Sequence, residues 1–97
     1  MINNKPKLVF LVEDEEDHAK VFQMGIARSD TGAECETFTS GDNLYQKLQN
    51  LNPEAKPDLM LLDLNLPDTD GFHVLERVRS IYPREKLPVV VFSSSSS

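Results

Sequence analysis

The chain has little that would tie it to a membrane, an oxidising compartment or a nucleic acid. Only one cysteine, Cys35, stands among its 97 residues, so no internal disulfide can form, and a reducing compartment suits such a chain. No His or Lys neighbours Cys35 in sequence, which makes it a small buried hydrophobe rather than a reactive thiol. The longest apolar run is Leu8 to Val12, far short of the roughly 20 residues that a membrane-spanning helix needs, and no signal-peptide pattern precedes it. The expected location is the cytoplasm. Basic residues are also scarce, 10 against 16 acids for a net charge of -6. That balance argues against broad electrostatic binding to nucleic acid or to an anionic membrane surface. No repeat recurs at domain scale.

What is present fits one small globular domain over residues 1–97, with 39% hydrophobic and 27% charged residues. After a polar lead-in over residues 1–7, Leu8–Val12 has the unbroken apolar look of a strand covered on both faces. It ends abruptly in Glu13-Asp14-Glu15-Glu16-Asp17. A helical pattern follows with Ala19, Phe22 and Ile26 on one face, and acids at its start suit the helix dipole. Gly32 breaks the chain, and residues 34–39 alternate as a weaker strand, with Cys35 and Phe38 as its apolar members, suited to a sheet edge. Ser40-Gly41-Asp42 reads as a helix start, with Leu44, Leu48 and Leu51 as the apolar stripe. Leu59–Leu62 is a third strand, again ending in an acid, Asp63. A loop containing Pro67 leads to a third helix whose core face, by spacing, is Phe72, Leu75 and Val78, with Thr69 or Asp70 as its cap. Val89–Phe92 is a fourth strand, followed by Ser93 and a serine run. The order βαβαβαβ predicts an α/β fold with a parallel sheet. The apolar strands should be central or nearly so.

Parallel strands share one carboxyl edge, and ligands of open α/β sheets bind there, where the strand order reverses. In the order 2-1-3-4 that point lies between the first and third strands. Glu13, Asp14 and Asp63 should converge on it, with Ser93 ending the neighbouring strand. Three carboxylates together repel one another unless one is protonated or a cation compensates. A hard divalent cation with oxygen ligands is the natural partner, Mg²⁺ fitting best. Such a metal assists phosphoryl chemistry, in which an aspartate can itself be the nucleophile.

Three stretches then resemble one family. Residues 8–14, LVFLVED, are similar to the first strand and acidic pair of response-regulator receiver domains. Residues 63–71, DLNLPDTDG, resemble the family's phosphorylation loop, with its acceptor aspartate, the proline four later and the glycine eight later. Residues 87–93, LPVVVFS, resemble the fourth strand and its switch Ser/Thr. The acidic run from Glu13 to Asp17 further resembles stand-alone receivers, including those paired with phytochrome-type kinases. The resemblance implies a flavodoxin-like open parallel sheet. It implies that Asp63 accepts a phosphoryl group from a histidine kinase or histidine phosphotransfer protein, with self-catalysed transfer and slow loss rather than enzymatic turnover. Asp14 and Asp63 would bind Mg²⁺ through side chains, Glu13 directly or through water, and Asn65 through its backbone carbonyl. Ser93 would bond a phosphoryl oxygen.

The resemblance runs out after the fourth strand. The family's fifth strand with its lysine, and its last two helices, have no counterpart in these 97 residues, so an incomplete domain is expected. Its fourth strand would be an exposed apolar edge through which chains could associate. Two further readings compete. One is a non-phosphorylated interaction fragment. The other is a Mg²⁺-dependent aspartate-nucleophile phosphohydrolase, disfavoured because the position two after the nucleophile is Asn65 and not an acid. His18 and His73 read as surface residues, because neither follows an apolar strand to the acidic edge. Glu15, Glu16 and Asp17 read as a solvated first turn. No segment of the chain is a DNA-binding element.

Overall fold

A computed structural model describes residues 6–93. The elements run β1 (Leu8–Val12), α1 (Glu16–Arg28), β2 (Glu34–Phe38), α2 (Gly41–Gln49), a 3-10 turn (Pro53–Ala55), β3 (Leu59–Asp63), α3 (Gly71–Ile81) and β4 (Val89–Phe92). The four strands form one sheet in the order β2-β1-β3-β4, and every pairing is parallel. This is the flavodoxin-like arrangement expected, with β1 and β3 inside and β2 at one edge. β4 stands at the other edge of the described sheet, with Val90 and Val91 exposed.

Alternation along the interior strands explains both layers. Phe10 and Val12 of β1 and Met60 and Leu62 of β3 face α2 and α3, where they pack with Leu44, Leu48, Val74 and Val78. Val9, Leu59 and Leu61 face the other way and border a groove shared with Phe22 and Ile26 of α1. Phe10 and Phe38 meet edge to face at 4.8 Å, which fixes β2 against β1 inside the core.

The helices start where the capping chemistry allows. The Ser40 side chain accepts a hydrogen bond from the Asn43 N–H and caps α2. Of the two expected caps of α3, Asp70 is the one used, accepting from the Phe72 N–H at 2.8 Å. Such caps are each worth about 1 kcal/mol.

Some expectations need correction. Phe72 is 61% exposed and does not belong to the core, whereas Val74 and Val78 are fully buried. At about 100° per residue Phe72 is turned roughly 120° from Val78, while Val74 lies only about 40° from it. The core stripe of α3 is therefore Val74 and Val78, flanked by Leu75. Leu51 packs on the core but lies beyond the end of α2. Cys35 is half-buried on β2 and not enclosed; burial pushes its thiol up, away from reactivity. Leu87, in the loop before β4, is a wholly buried core residue that no periodic pattern marks. The lead-in over residues 1–5 and the last serines, 94–97, lie outside the described residues.

Candidate functional site

The register of the sheet assembles the site. Val12 pairs with Leu62, so Glu13 stands level with Asp63 at the carboxyl edge. Asp63 in turn pairs with Phe92, the last residue of β4, which puts Ser93 one step beyond the strand's end. Adjacent parallel strands lie only about 4.8 Å apart, so these side chains must meet. They do: one oxygen from each of Glu13, Asp14 and Asp63 falls within a 4.8 Å span. Two backbone bonds carry the sheet into this edge, Glu13 N–H to Phe38 O at 2.9 Å and Leu64 N–H to Phe92 O at 2.8 Å.

The three carboxylates differ in environment. Asp63 and Glu13 are buried, and Asp14 is the most exposed. Above them lies an open cleft of about 610 Å³, lined by Asp14, Glu15 and the loop of residues 64–70. Burial, first, and the neighbouring carboxylates of Asp63 and Asp14 push the Glu13 carboxyl up to about 7, against the opposing pull of the Glu15 N–H. A buried acid in that state marks negative charge in excess of what the protein's own groups neutralise. The donor set is all oxygen, which matches a hard divalent cation. The residues present therefore fit such an ion. Side chains of Glu13, Asp14 and Asp63 could hold it.

The β3–α3 loop is fixed from several sides. The Asn65 N–H donates to Asp63 Oδ1 at 2.9 Å, and the Asn65 side-chain amide donates to Ser93 Oγ at 3.1 Å. The Gly71 N–H closes the loop on Leu64 O at 3.1 Å. Gly71 itself is required for lack of space. A Cβ there would lie 2.5 Å from Leu64 Cα and 2.7 Å from the Asp63 carbonyl oxygen. The glycine eight after Asp63 is thus what lets α3 start against the backbone of Asp63 and Leu64.

Every sequence-derived site residue is in the assembly: Glu13, Asp14, Asp63, Asn65 and Ser93 surround one edge. Two contributors escaped the sequence reading. Asp68, in the loop, accepts from the Gly41 N–H at 3.0 Å and the Asp42 N–H at 2.9 Å. It ties the loop to the start of α2, and those two bonds, the Gly41 one foremost, hold its carboxyl below the usual range. The contact spans 27 residues in sequence and leaves no local signal. The other is a contact of His18, which is at the surface as expected, its side chain 41% exposed. Its Nδ1 lies 3.2 Å from Glu13 Oε1. A signal did exist. His18 is the third residue of α1, and helical side chains lean back toward the N-terminus, which here is the acidic edge. His73, Glu15, Glu16 and Asp17 are exposed as expected.

Comparison with known proteins agrees with this geometry. The sequence pattern described as "Response regulator receiver domain" matches residues 9–97. The response regulator Rcp1 of Synechocystis sp. is 32% identical over 96 residues, spanning 96% of this chain and 65% of its own length. A probable methanogenesis regulatory protein, FilR2 of Methanothrix harundinacea, is 31% identical and is spanned over 61% of its length. The chain thus spans somewhat under two thirds of these curated relatives. Among solved structures, the phosphorylated cyanobacterial phytochrome response regulator RcpA superposes with a TM-score of 0.77 at 38% identity, over 94% of this chain and 67% of its own. The Mn(2+)-bound form of Rcp1 superposes at 0.78 with 33% identity, over 95% and 68%. With the acidic edge, the loop after β3 and the 2-1-3-4 sheet all in place, the chain belongs to the response regulator receiver domain family, regulatory domains of two-component signalling.

Proposed function

We propose that the chain is a cytoplasmic, Mg²⁺-dependent phosphoryl-accepting switch whose acceptor is Asp63 and whose donor is the phosphohistidine of a histidine kinase or a histidine phosphotransfer protein. The observation that supports this most is the meeting of Glu13, Asp14 and Asp63 within 4.8 Å beneath an open cleft. Asp14 and Asp63 would hold the ion by side chains, Glu13 directly or through water, and Asn65 by its backbone carbonyl. A carboxylate oxygen of Asp63 attacks phosphorus, the donor's P–N bond breaks, and the released imidazole nitrogen takes up a proton from solvent. A cation held there would supply positive charge beside the transferring phosphoryl oxygens. Ser93 Oγ, which the Asn65 amide contacts at 3.1 Å, is the hydroxyl that bonds a phosphoryl oxygen once Asp63 is modified.

Intact mass after incubation with acetyl phosphate tests this. Here the bond broken is phosphorus to the acetyl oxygen, and acetate leaves. Wild type with Mg²⁺ should gain one phosphoryl group; Asp63→Asn, and wild type with a chelator, should gain none. An adduct on Asp63→Asn would place the acceptor elsewhere. No adduct on a wild type that binds metal normally would favour a non-phosphorylated interaction module. Steady turnover of a small phosphate ester, lost in Asp63→Asn, would favour the hydrolase.

We further propose that these 97 residues self-associate through β4. Val90 is 52% and Val91 39% exposed on β4, an edge strand among the described residues, and an exposed apolar edge can template strand addition. Sedimentation should show concentration-dependent association that Val90→Lys suppresses. A monomer at all concentrations would count against it.

A further inference from the structure

Both oxygens of the Glu13 carboxylate are engaged by its own side of the site. Its side chain has no exposed surface. Oε2 accepts the Glu15 N–H at 3.2 Å, and Oε1 lies 3.2 Å from His18 Nδ1. When Glu13 is ionised, as cation binding requires, its oxygens can only accept. Nδ1 of His18 must then carry the hydrogen. The two donors approach opposite oxygens from α1 and its N-cap, so together they fix the plane of the carboxylate.

His18 itself stands outside the set of candidate ligands, which among the described residues is Glu13, Asp14 and Asp63. Its side chain is 41% exposed, so removing it opens no sealed cavity, and its position third in α1 needs no imidazole for helix formation. What the ring does is hold a buried acid. Partners of this kind set ligand orientation, and losing one costs about 10–100-fold in metal affinity.

We infer that His18 is a positioning residue for the acidic site, its Nδ1–H holding Glu13 in the orientation a divalent cation needs; the inference rests on the metal-binding reading above. It acts through Glu13 and touches neither the phosphoryl group nor the ion. Replacing it should weaken cation binding without weakening the fold, and a smaller side chain that returns an N–H donor near the same place should restore binding.

The test uses Mn²⁺, whose binding is read directly from loss of the free-ion electron paramagnetic resonance signal. Wild type, His18→Ala and His18→Asn are titrated, and the metal-free thermal midpoint of each is recorded. His18→Ala should raise the Mn²⁺ dissociation constant on the order of tenfold. His18→Asn, whose amide N–H stands near the place of Nδ1–H, should recover most of the affinity, with all three midpoints alike without metal. Wild-type affinity in His18→Ala overturns the inference, as does equal weakening in both variants. So does a fall in metal-free midpoint that tracks the loss of affinity, since that is a fold defect. A wild type that binds no Mn²⁺ instead removes the metal-binding reading, and this inference with it.

Discussion

Glu13→Gln is expected to stabilise the metal-free chain by about 3 kcal/mol at pH 8 and by almost nothing at pH 4. The cause is the burial of Glu13 beside Asp63, which pushes its carboxyl from 4.5 to about 7. The folded state then binds this proton more tightly than the unfolded state. Stability associated with it is fully present below pH 4.5 and is lost as pH rises through about 7, because the unfolded chain releases the proton first. A gap of about 2.5 units corresponds to about 3 kcal/mol at 1.36 kcal/mol per unit. Glutamine does not titrate, so its unfolding curve lacks that slope. It also keeps an oxygen for the Glu15 N–H. Urea denaturation in chelator, at a series of pH values, should therefore show the two proteins converging in acid and separating in base.

Added cation should close most of that gap. An ion that binds only the folded state stabilises it by about 2.7 kcal/mol when present at 100 times its dissociation constant. Wild type should gain this in Mg²⁺ and the variant much less of it, having lost a charged member of the site. Parallel wild-type and Glu13→Gln curves across the pH series would refute the account of Glu13 as a strained buried acid. A variant that responds to Mg²⁺ as strongly as wild type would remove Glu13 from the metal set.

This strain also explains which parts of the molecule were legible in the sequence. Unbroken apolar runs ending in acids are costly unless the acids have a shared purpose, so residues 8–14 and 59–63 disclosed both the interior strands and the site. Parallel topology then required Glu13 and Asp63 to be level, and the register of Val12 with Leu62 is the consequence. What stayed hidden depends on contacts that sequence spacing does not encode. Leu87 is buried in the core from a loop, outside any helix or strand, and Asp68 reaches α2 across 26 and 27 residues. Phe72 misled for a different reason. Its three-residue spacing to Leu75 and Val78 fits a helix, but the spacing alone does not say which side of the stripe faces the sheet. His18 was readable in principle, since only the backward lean of helical side chains was needed to bring it to Glu13.

Gly71→Ala is expected to be the most damaging single-methyl change in the chain, and its damage should centre on Asp63. A Cβ at this position would meet Leu64 Cα at 2.5 Å, the Asp63 carbonyl oxygen at 2.7 Å and Leu64 Cδ2 at 3.1 Å. The first two are backbone atoms and cannot swing aside. Relief requires α3 to withdraw from β3 or the strand end to shift. Either motion strains the bond from Gly71 N–H to Leu64 O and the seat of the acceptor. Overpacking of this kind costs about 1–3 kcal/mol and sometimes more. Two other glycines supply the controls. At Gly41 the nearest atom, at 2.5 Å, is a side-chain methyl of Thr69, which can rotate, so Gly41→Ala should cost less. At Gly25, inside α1, nothing lies within 4 Å, and alanine there should stabilise by about 0.5–1 kcal/mol through helix propensity alone. Thermal midpoints should therefore rank Gly25→Ala above wild type, then Gly41→Ala, then Gly71→Ala. Phosphoryl uptake from acetyl phosphate should fall in Gly71→Ala even at temperatures where it remains folded, because the clash falls on the backbone of Asp63 itself. A Gly71→Ala protein with wild-type stability and uptake would show that the glycine is ordinary loop punctuation. It would then have no part in seating the acceptor.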